Sequence, residues 1–260
     1  MSKKKTDNLL AIQIRVLFAL ILRETRATFG TSSLGYLWAI ITPTASILVL
    51  VFIFSLAGRQ PPFGSSLALF FATGVLILQF YNELSSKLMT VFDANRALLT
   101  YPVIKEVDTL FARSILIMLT YCIIMVCFYG LLFIFGLSYA PANLEQIFIV
   151  FFVAFFLGLS VGILNAVTFS LWKTWGQIEK ILSRPLFFIS GIFYVPSQLP
   201  KEAIAVLQWN PVLHLVEWMR EGYYPNYNSL ILDKSYPVLL ALLLLMVGLA
   251  SERFTRKMRY

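Results

Sequence analysis

The chain has 260 residues, of which 59% are hydrophobic, 15% aromatic and only 13% charged. Soluble domains carry about 25% charged residues, so this composition excludes an ordinary soluble enzyme or binding domain and indicates an integral membrane protein. The formal net charge of +8 does not indicate nucleic-acid binding, because the basic residues lie beside apolar segments and not on a soluble face.

The N-terminal segment, residues 8–30, predicts an amphipathic helix that lies on the membrane surface. Its Arg15 and Arg26 fall within about 20° of each other on a helical wheel, with Arg23 about 80° away. These three arginines are predicted to contact anionic lipid headgroups. The preceding Met1–Lys5 is basic, but no small-residue cleavage site follows it, so we predict no cleaved signal peptide.

Apolar segments predict six membrane spans in an all-α polytopic protein, treated as one domain over residues 1–260. The spans cover residues 36–57, 66–84, 109–136, 144–172, 180–195 and 236–252. A spanning helix needs about 20 residues to cross a hydrocarbon core of about 30 Å. The fifth span is the exception, since the apolar stretch Pro185–Val195 would cover only about half of that thickness.

The fourth span carries a small residue at every fourth position, which allows another helix to approach closely. The spacing does not say whether that helix belongs to the same chain or to a second copy. The small residues are Ala154, Gly158, Gly162, Ala166 and Ser170.

The stretch Phe92–Asp108 contains Pro102, which breaks a helix, and five charged residues: Asp93, Arg96, Lys105, Glu106 and Asp108. The helix predicted here covers residues 92–104. This pattern predicts a small helix that projects from the membrane, and it is equally compatible with a solvated connector.

Residues 196–224 mix prolines, charges and aromatic rings between the fifth and sixth spans. Charge and non-helical backbone at membrane depth require surrounding protein or a wet cavity, so this stretch predicts a re-entrant hairpin that lines a pathway. Asn210 and Pro211 would begin a short helix there, along which Glu217 and Arg220 can pair. Its aromatic side chains could stack on sugar rings or anchor the hairpin at the interface.

The basic residues predict the orientation in the membrane. One side receives 17 of the 21 Lys and Arg residues: six before the first span, then four, three and four in the loops and C-terminus of that side. By the positive-inside rule, that side is cytoplasmic, and both termini lie on it.

Catalytic and metal-binding motifs are missing from the sequence. None of the 13 glycines precedes a lysine, so there is no phosphate-binding loop for ATP. With a single histidine, His214, the sequence offers no metal-ligand motif, and we predict neither a metal nor a cofactor in this chain. Cys122 and Cys127 would point about 140° apart on a helix, so they cannot pair. We expect a conduit that takes its energy from another subunit.

Several short motifs are distributed along the chain: Arg23–Arg26, Gly35–Ala39 with Pro43, Asn95–Leu99 with Pro102, Ser190–Pro196, Leu199–Pro200, Trp209–His214 and Glu217–Arg220. Together they resemble the membrane permease subunit of ATP-driven (ABC type) polysaccharide exporters, in particular the capsular polysaccharide export permease of Gram-negative bacteria. The resemblance covers nearly the whole chain in the same order and spacing.

This resemblance implies a homodimer in the inner membrane that exports a lipid-linked acidic polysaccharide. A cytoplasmic ATPase subunit would bind ATP and Mg²⁺, and a periplasmic adaptor and an outer-membrane exporter would receive the polymer. It implies ATPase coupling by Asn95, Arg96, Tyr101, Pro102, Lys105 and Glu106. The candidate substrate-pathway residues are Tyr36, Trp38, Arg59, Tyr194, Lys201, Trp209, His214, Trp218 and Arg220.

Two alternatives remain open from the sequence. The cargo could be O-antigen, teichoic acid or another lipid-linked glycan, or the chain could be an assembly subunit that transports nothing.

Overall fold

The computed structural model describes residues 2–30, 33–101 and 103–259, without the side chains of residues 2–10, 33, 34 and 36. Over these residues the protein is helical and contains no strand. The α-helices are α1 Ser2–Phe29, α2 Ser33–Leu56, α3 Leu67–Met89, α4 Val91–Ala94, α5 Glu106–Ile134, α6 Leu144–Leu171, α7 Trp175–Ile189, α8 Lys201–Leu207, α9 Pro211–Tyr223 and α10 Ser235–Thr255. Short 3₁₀ turns cover Leu98–Thr100, Pro196–Gln198 and Arg256–Met258.

Five segments within the described residues are long and apolar enough to cross a membrane. They are Leu37–Leu56, Leu67–Met89, Glu106–Ile134, Leu144–Leu171 and Ser235–Met258, and they match the first four predicted spans and the sixth. The prediction of an all-helical protein with several membrane-spanning helices is therefore confirmed. A sixth span stays a prediction, because α7 has only 15 residues and both of its ends lie earlier in the chain than 180–195.

Helices α3 and α6 form the centre of the bundle. In their most apolar stretches 72% and 61% of the residues are buried, against 11% in α2 and 17% in α10. The small-residue face of α6 packs on α3 within the same chain. A Cβ atom at Gly162 would lie 2.8 Å from the backbone oxygen of Leu84. Glycine at this position lets the two backbones meet, which answers the question that the spacing left open.

Side-chain caps begin several helices where the sequence indicates them. The Ser66 hydroxyl accepts a hydrogen bond from the Leu69 N–H at the start of α3, and the Asn143 side chain accepts one from Gln146 in α6. Asn210 accepts a bond from the Val212 N–H, with Pro211 as the first residue of α9. The predicted start of this helix is confirmed. Each cap satisfies a backbone donor that the helix itself leaves unpaired.

The contacts define two ends of the bundle. At the basic end, α1 and the C-terminal segment meet the start of α5, where Arg259 pairs with Glu106. At the far end, the loop before α6 meets the end of α9, because the Asn143 N–H donates to the Gly222 carbonyl at 2.8 Å. Residues 13–24 and 252–259 thus lie at one end of the molecule, and α9 lies at the other.

Replacing Gly162 with alanine should destabilise the protein, since the new methyl group must push α3 away from α6. We expect a loss of about 1–3 kcal/mol, seen as a lower Tm in detergent. Gly130→Ala is the matched control, because no described atom lies within 4 Å of a Cβ built there and alanine favours the helix. Equal melting temperatures for the two variants would contradict this account of the α3–α6 contact.

Candidate functional site

Asn95 links α1 to the turn that follows α4 at the basic end. Its side chain is buried, and its amide nitrogen donates to the Glu24 carboxylate at 3.1 Å and to the Val91 carbonyl at 2.9 Å. Its amide oxygen accepts a hydrogen bond from the Arg23 guanidinium. One asparagine side chain therefore joins two consecutive residues of α1 to the segment that is predicted to couple to the ATPase.

Glu24 carries this connection on to α5. Its second oxygen accepts a hydrogen bond from Arg113 Nε at 2.8 Å, and Arg113 also donates to the Lys87 carbonyl at 3.0 Å. The Glu24 and Arg113 side chains are only 4% and 15% exposed. A buried charge that loses its partner costs several kcal/mol, so α1 cannot leave α5 without a large penalty.

The C-terminal segment is attached to the same end. Arg259 pairs with the buried carboxylate of Glu106, and its guanidinium lies 4.7 Å from the centre of the Phe92 ring. The side chain of Asp108 caps the start of α5 by accepting from the Lys105 N–H, and it also accepts from Gln13 of α1. The first turn of α5 thus holds both terminal segments against the α4 region.

The predicted coupling residues separate into an exposed and a buried group. Arg96, Tyr101 and Lys105 are exposed, whereas Asn95 and Glu106 are buried. Pro102 lies outside the described residues. In place of one continuous helix over 92–104, the structure has α4 and a 3₁₀ turn. The Asn95 side chain bonds back to the Val91 carbonyl, and Asn95 ends α4 as its C-cap.

The three arginines predicted to contact lipid headgroups have different environments. Arg15 and Arg26 are exposed on α1. Arg23 is also exposed, but it donates to Asn95 and so has a protein partner.

At the far end, Arg220 and Glu217 form a fully buried ion pair within α9. Their side chains are 0% and 1% exposed, and Arg220 Nη1 lies 3.2 Å from a Glu217 oxygen. The pairing expected from their spacing is confirmed. The guanidinium also donates to the Tyr194 carbonyl and lies 4.0 Å from the centre of the Phe70 ring. The pair therefore ties α9 to α3 and to the loop after α7.

Glu217 has further donors from the loop that follows α9. The Tyr227 hydroxyl lies 2.8 Å from both carboxylate oxygens, and the Ser229 hydroxyl donates at 2.7 Å. Burial, together with the nearby Glu217 charge, raises the pKa of Tyr227 above its ordinary value, so this hydroxyl keeps its proton. The carboxylate is thereby surrounded by donors, as a buried charge requires.

Two more of the predicted pathway residues are buried in the protein. His214 Nδ1 lies 3.1 Å from the Asp233 N–H, which donates to it, and Nε2 lies 2.7 Å from the Gln208 carbonyl. This arrangement assigns the proton to Nε2. Trp218 donates its indole N–H to Gln146 at 2.7 Å. Both side chains therefore have hydrogen-bond partners within the chain.

The remaining predicted pathway residues lie at or near the surface. Trp38 and Trp209 are 63% and 70% exposed, and Arg59 and Lys201 are exposed on loops or short helices of the far end. Tyr194 is half-buried and donates its hydroxyl proton to the Ile189 carbonyl. The side chain of Tyr36 lies outside the described residues.

Some structurally central residues were not identified from the sequence. Glu24 and Arg113 were given no role there, although Glu24 lies on the amphipathic α1 and Arg113 lies inside the third predicted span. An ionisable residue in such a position calls for a partner, and that signal could have led to the pair. Among the described residues, no group of three or more His, Cys, Asp or Glu side chains could hold a metal ion.

Replacing Glu24 with alanine should destabilise the basic end, because it leaves Arg113 and Asn95 without their shared acceptor. We expect a loss of about 2–4 kcal/mol. Asp93→Ala is the control at the same end: it removes an ion pair with Lys173 whose side chains are more than half exposed, which should cost less than about 1 kcal/mol. Thermal unfolding of both variants measures the difference, and similar losses would contradict the buried role of Glu24.

Comparison with known proteins agrees with a transport function. Residues 15–224 match the ABC-2 type transporter family. The chain is 31% identical over 235 residues to the polysialic acid transport protein KpsM of Escherichia coli, covering 90% of this chain and 91% of KpsM. It is 26% identical to the capsule polysaccharide export inner-membrane protein BexB of Haemophilus influenzae, covering 92% and 91% of the two chains. It is 25% identical to CtrC, of the same description, from Neisseria meningitidis serogroup A, covering 93% and 91%. The chain belongs to the ABC-2 type transporter family of membrane proteins.

Proposed function

We propose that this chain is the membrane permease of an ATP-driven exporter that moves a lipid-linked acidic polysaccharide from the cytoplasm to the periplasm. The observation that carries the proposal is the likeness to KpsM, BexB and CtrC over nine-tenths of the chain, since the names of all three describe polysaccharide transport or export. The apolar spans and the polar elements at both ends of the bundle support it.

The proposed transporter is a homodimer in the bacterial inner membrane, with both termini in the cytoplasm and six spans in each chain. The terminal segments share the basic end, which is the orientation that the positive-inside rule favours. Helices α2 and α10 leave most of their apolar residues unburied, so they offer surface to a second copy or to lipid. A periplasmic adaptor and an outer-membrane exporter would take up the polymer.

Energy would come from a separate cytoplasmic ATPase subunit that holds ATP and Mg²⁺. In this proposal the exposed residues Arg96, Tyr101 and Lys105, together with Pro102, dock on that subunit. The buried Asn95 and Glu106 pass its movement to α1 and to the C-terminal segment. The contacts of Asn95 with Arg23 and Glu24 support this route, because any displacement of the turn must move α1 or break them.

The pathway would run past residues 196–224 at the far end as a re-entrant hairpin. A turn after α7 supports this part of the proposal: α7 ends at Ile189, and Gly191 has a φ of +74°, which glycine adopts without strain. In this proposal Tyr36, Trp38, Tyr194 and Trp209 contact the glycan, and Arg59 and Lys201 attract its acidic groups. The hairpin would be stabilised by the buried side chains of His214, Trp218 and Arg220, which do not contact the glycan in this proposal. Arg15, Arg23 and Arg26 would face the headgroup of the lipid anchor.

Deleting the gene should remove the polysaccharide from the cell surface and leave lipid-linked polymer in the cytoplasm, and the intact chain should restore export. Chemical analysis of the accumulated glycan then identifies the cargo and separates capsular polysaccharide from O-antigen or teichoic acid. An unchanged surface glycan in the deletion strain would instead favour an assembly subunit that transports nothing.

Reversing the charge of Arg96 should uncouple the ATPase, because Arg96 is exposed on the turn that would dock on it. We expect the Arg96→Glu variant to fold normally and to lose polymer export and the stimulation of ATP hydrolysis. Arg253→Glu is the matched control, as Arg253 is exposed at the same end but lies on α10. Full export by Arg96→Glu would contradict the assignment of this turn.

Neutralising Arg59 and Lys201 together should slow the export of an acidic polymer. Both are exposed at the far end, and attraction between exposed charges weakens with salt over a Debye length of about 10 Å at 0.1 M. Export by Arg59→Gln/Lys201→Gln should therefore be reduced most at low ionic strength. Arg253→Gln, at the basic end, serves as the control, and unchanged rates at every salt concentration would contradict a role in attracting the polymer.

A further inference from the structure

A small open pocket lies at the far end of the bundle, where residues 208–214 meet the start of α10 and the loop before it. Its volume is about 220 Å³. Pockets for drug-sized ligands typically measure about 300–1,000 Å³, so this one suits a small chemical group. The lining residues are Gln208, Trp209, His214, Ile231, Asp233 and Tyr236.

Two aromatic rings meet nearly at a right angle in this pocket. The ring centres of Trp209 and Tyr236 lie 6.4 Å apart, and their planes cross at 82°. The Tyr236 hydroxyl donates to the Trp209 carbonyl at 2.9 Å, which fixes the position of one ring relative to the other. The Trp209 ring is exposed, so its face is open to a ligand. The negative face of an aromatic ring attracts a cation.

Asp233 gives the pocket a negative charge that no cation in the chain balances. None of the ion pairs within the described residues involves Asp233. One of its carboxylate oxygens accepts from the N–H groups of Ser235 and Tyr236 and so caps the start of α10. His214 accepts the Asp233 N–H at Nδ1, so it adds no positive charge. The lining therefore repels an acidic ligand and attracts a cation.

The polar atoms that the pocket still offers are mainly acceptors. His214 Nε2 donates to the Gln208 carbonyl at 2.7 Å, and the Gln208 amide donates to the Ala205 carbonyl at 3.1 Å. The second carboxylate oxygen of Asp233 and the amide oxygen of Gln208 receive no hydrogen bond from the described residues. An ammonium group carries three donors and no acceptor, whereas a sugar hydroxyl needs both kinds of partner. An ammonium group is therefore the ligand that fits this pocket.

The pocket lies at the depth of the lipid headgroups. The span Ser235–Met258 has 24 residues, so its helix is about 36 Å long, against about 30 Å for a hydrocarbon core. Its first residues, including Tyr236, therefore lie at the boundary between hydrocarbon and water. Tryptophan and tyrosine rings are common at this boundary. The nearest abundant source of an ammonium group there is the headgroup of a membrane lipid.

Helix α10 provides a surface for the chains of such a lipid. Leu239 and Leu243 are exposed, and on a helical wheel they lie within about 60° of Tyr236. They continue from the pocket towards the middle of the membrane. We propose that this pocket binds the ammonium headgroup of phosphatidylethanolamine, with the acyl chains of the lipid along this face of α10.

A lipid bound here would connect two parts of the far end. One wall of the pocket belongs to residues 208–214 of the proposed re-entrant hairpin, and the other belongs to residues 231–236 at the start of α10. The site goes beyond the proposed function, because a lipid in this position would hold the hairpin whichever polymer is exported. Trp209 also contacts the glycan in the proposed function, and the two roles are compatible because an exposed indole has two faces.

The test uses the full chain in phosphatidylglycerol nanodiscs that contain a small fraction of phosphatidylethanolamine with a diazirine near the glycerol end of one acyl chain. Mass spectrometry of the peptides locates the crosslinks. Three unlabelled lipids compete with the probe. They are phosphatidylethanolamine, its N-acetyl derivative, which lacks the positive charge, and glucosyl diacylglycerol, which has a hydroxyl-rich headgroup.

The variants separate the charge, the ring and the fold. Asp233→Asn removes the charge and keeps an oxygen that can cap α10. Trp209→Ala removes the ring, and Trp209→Phe restores an aromatic face. The controls are Asp93→Asn and Trp172→Ala, which change exposed residues of the same types at the basic end.

We expect crosslinks at residues 206–209 and 236–243. Labelling should fall about five- to tenfold in Asp233→Asn and Trp209→Ala, because each loses part of the attraction for a cation, and Trp209→Phe should recover most of it. The controls should label as the unchanged chain does. Unlabelled phosphatidylethanolamine should suppress labelling, and the N-acetyl derivative and the glucolipid should not. Phosphatidylethanolamine should also raise the Tm of the unchanged chain more than that of Asp233→Asn.

Three results would overturn the inference. Equal competition by the N-acetyl derivative would show that the ammonium group is not recognised, and equal competition by the glucolipid would make the pocket a sugar site. Absence of crosslinks at these residues would remove the lipid and leave the pocket to a basic side chain of another protein. The proposed function fails separately, if the deletion strain keeps its surface glycan.

Discussion

A charge buried in an apolar helix bundle must have a partner, and this constraint determines how both ends of the protein are held together. At the basic end, Glu24 accepts from Arg113 and Asn95, which joins α1, α5 and the turn after α4. At the far end, Glu217 accepts from Arg220 and Tyr227, which joins α9 to its following loop. Removing one partner leaves the other charge buried and unpaired. The helices and loops that each cluster joins should therefore move together.

Between these ends, the bundle divides into a packed centre and a looser periphery. Helices α3 and α6 meet through Gly158 and Gly162, where even a methyl group would collide with α3. Helix α2 buries far fewer of its residues, and a cavity of about 820 Å³ lies between it and α3. A transporter needs both parts: a rigid frame that transmits force, and a helix that can move relative to that frame to open a site.

Local patterns were sufficient for much of the fold. Long apolar segments predicted five of the spanning helices, and Asn210 with Pro211 predicted the start of α9, because these features depend on residues close together in the chain. The bounds of α7 and the broken helix around Asn95 were not predicted. The side chain of Asn95 bonds to Val91, but also to Glu24, 71 residues away, and such a partner is invisible in a local window. Burial of His214 and Arg220 likewise comes from contacts with distant loops and helices, whereas a sequence shows only that they are polar.

The amino-acid sequence by itself determined that this is a helical membrane protein, which of its segments are apolar enough to span, and the transporter family to which it belongs. These properties follow from composition, from the length of apolar segments and from short motifs. Only the tertiary structure decided that the small-residue face of α6 packs on α3, that Glu24 pairs with Arg113, and that polar groups of α3 and α5 line a common cavity with α1 and α2. The reason is physical: the partner of a buried charge, or the opposite wall of a cavity, is set by how distant helices pack, and the periodicity of one helix gives only the direction in which each side chain points.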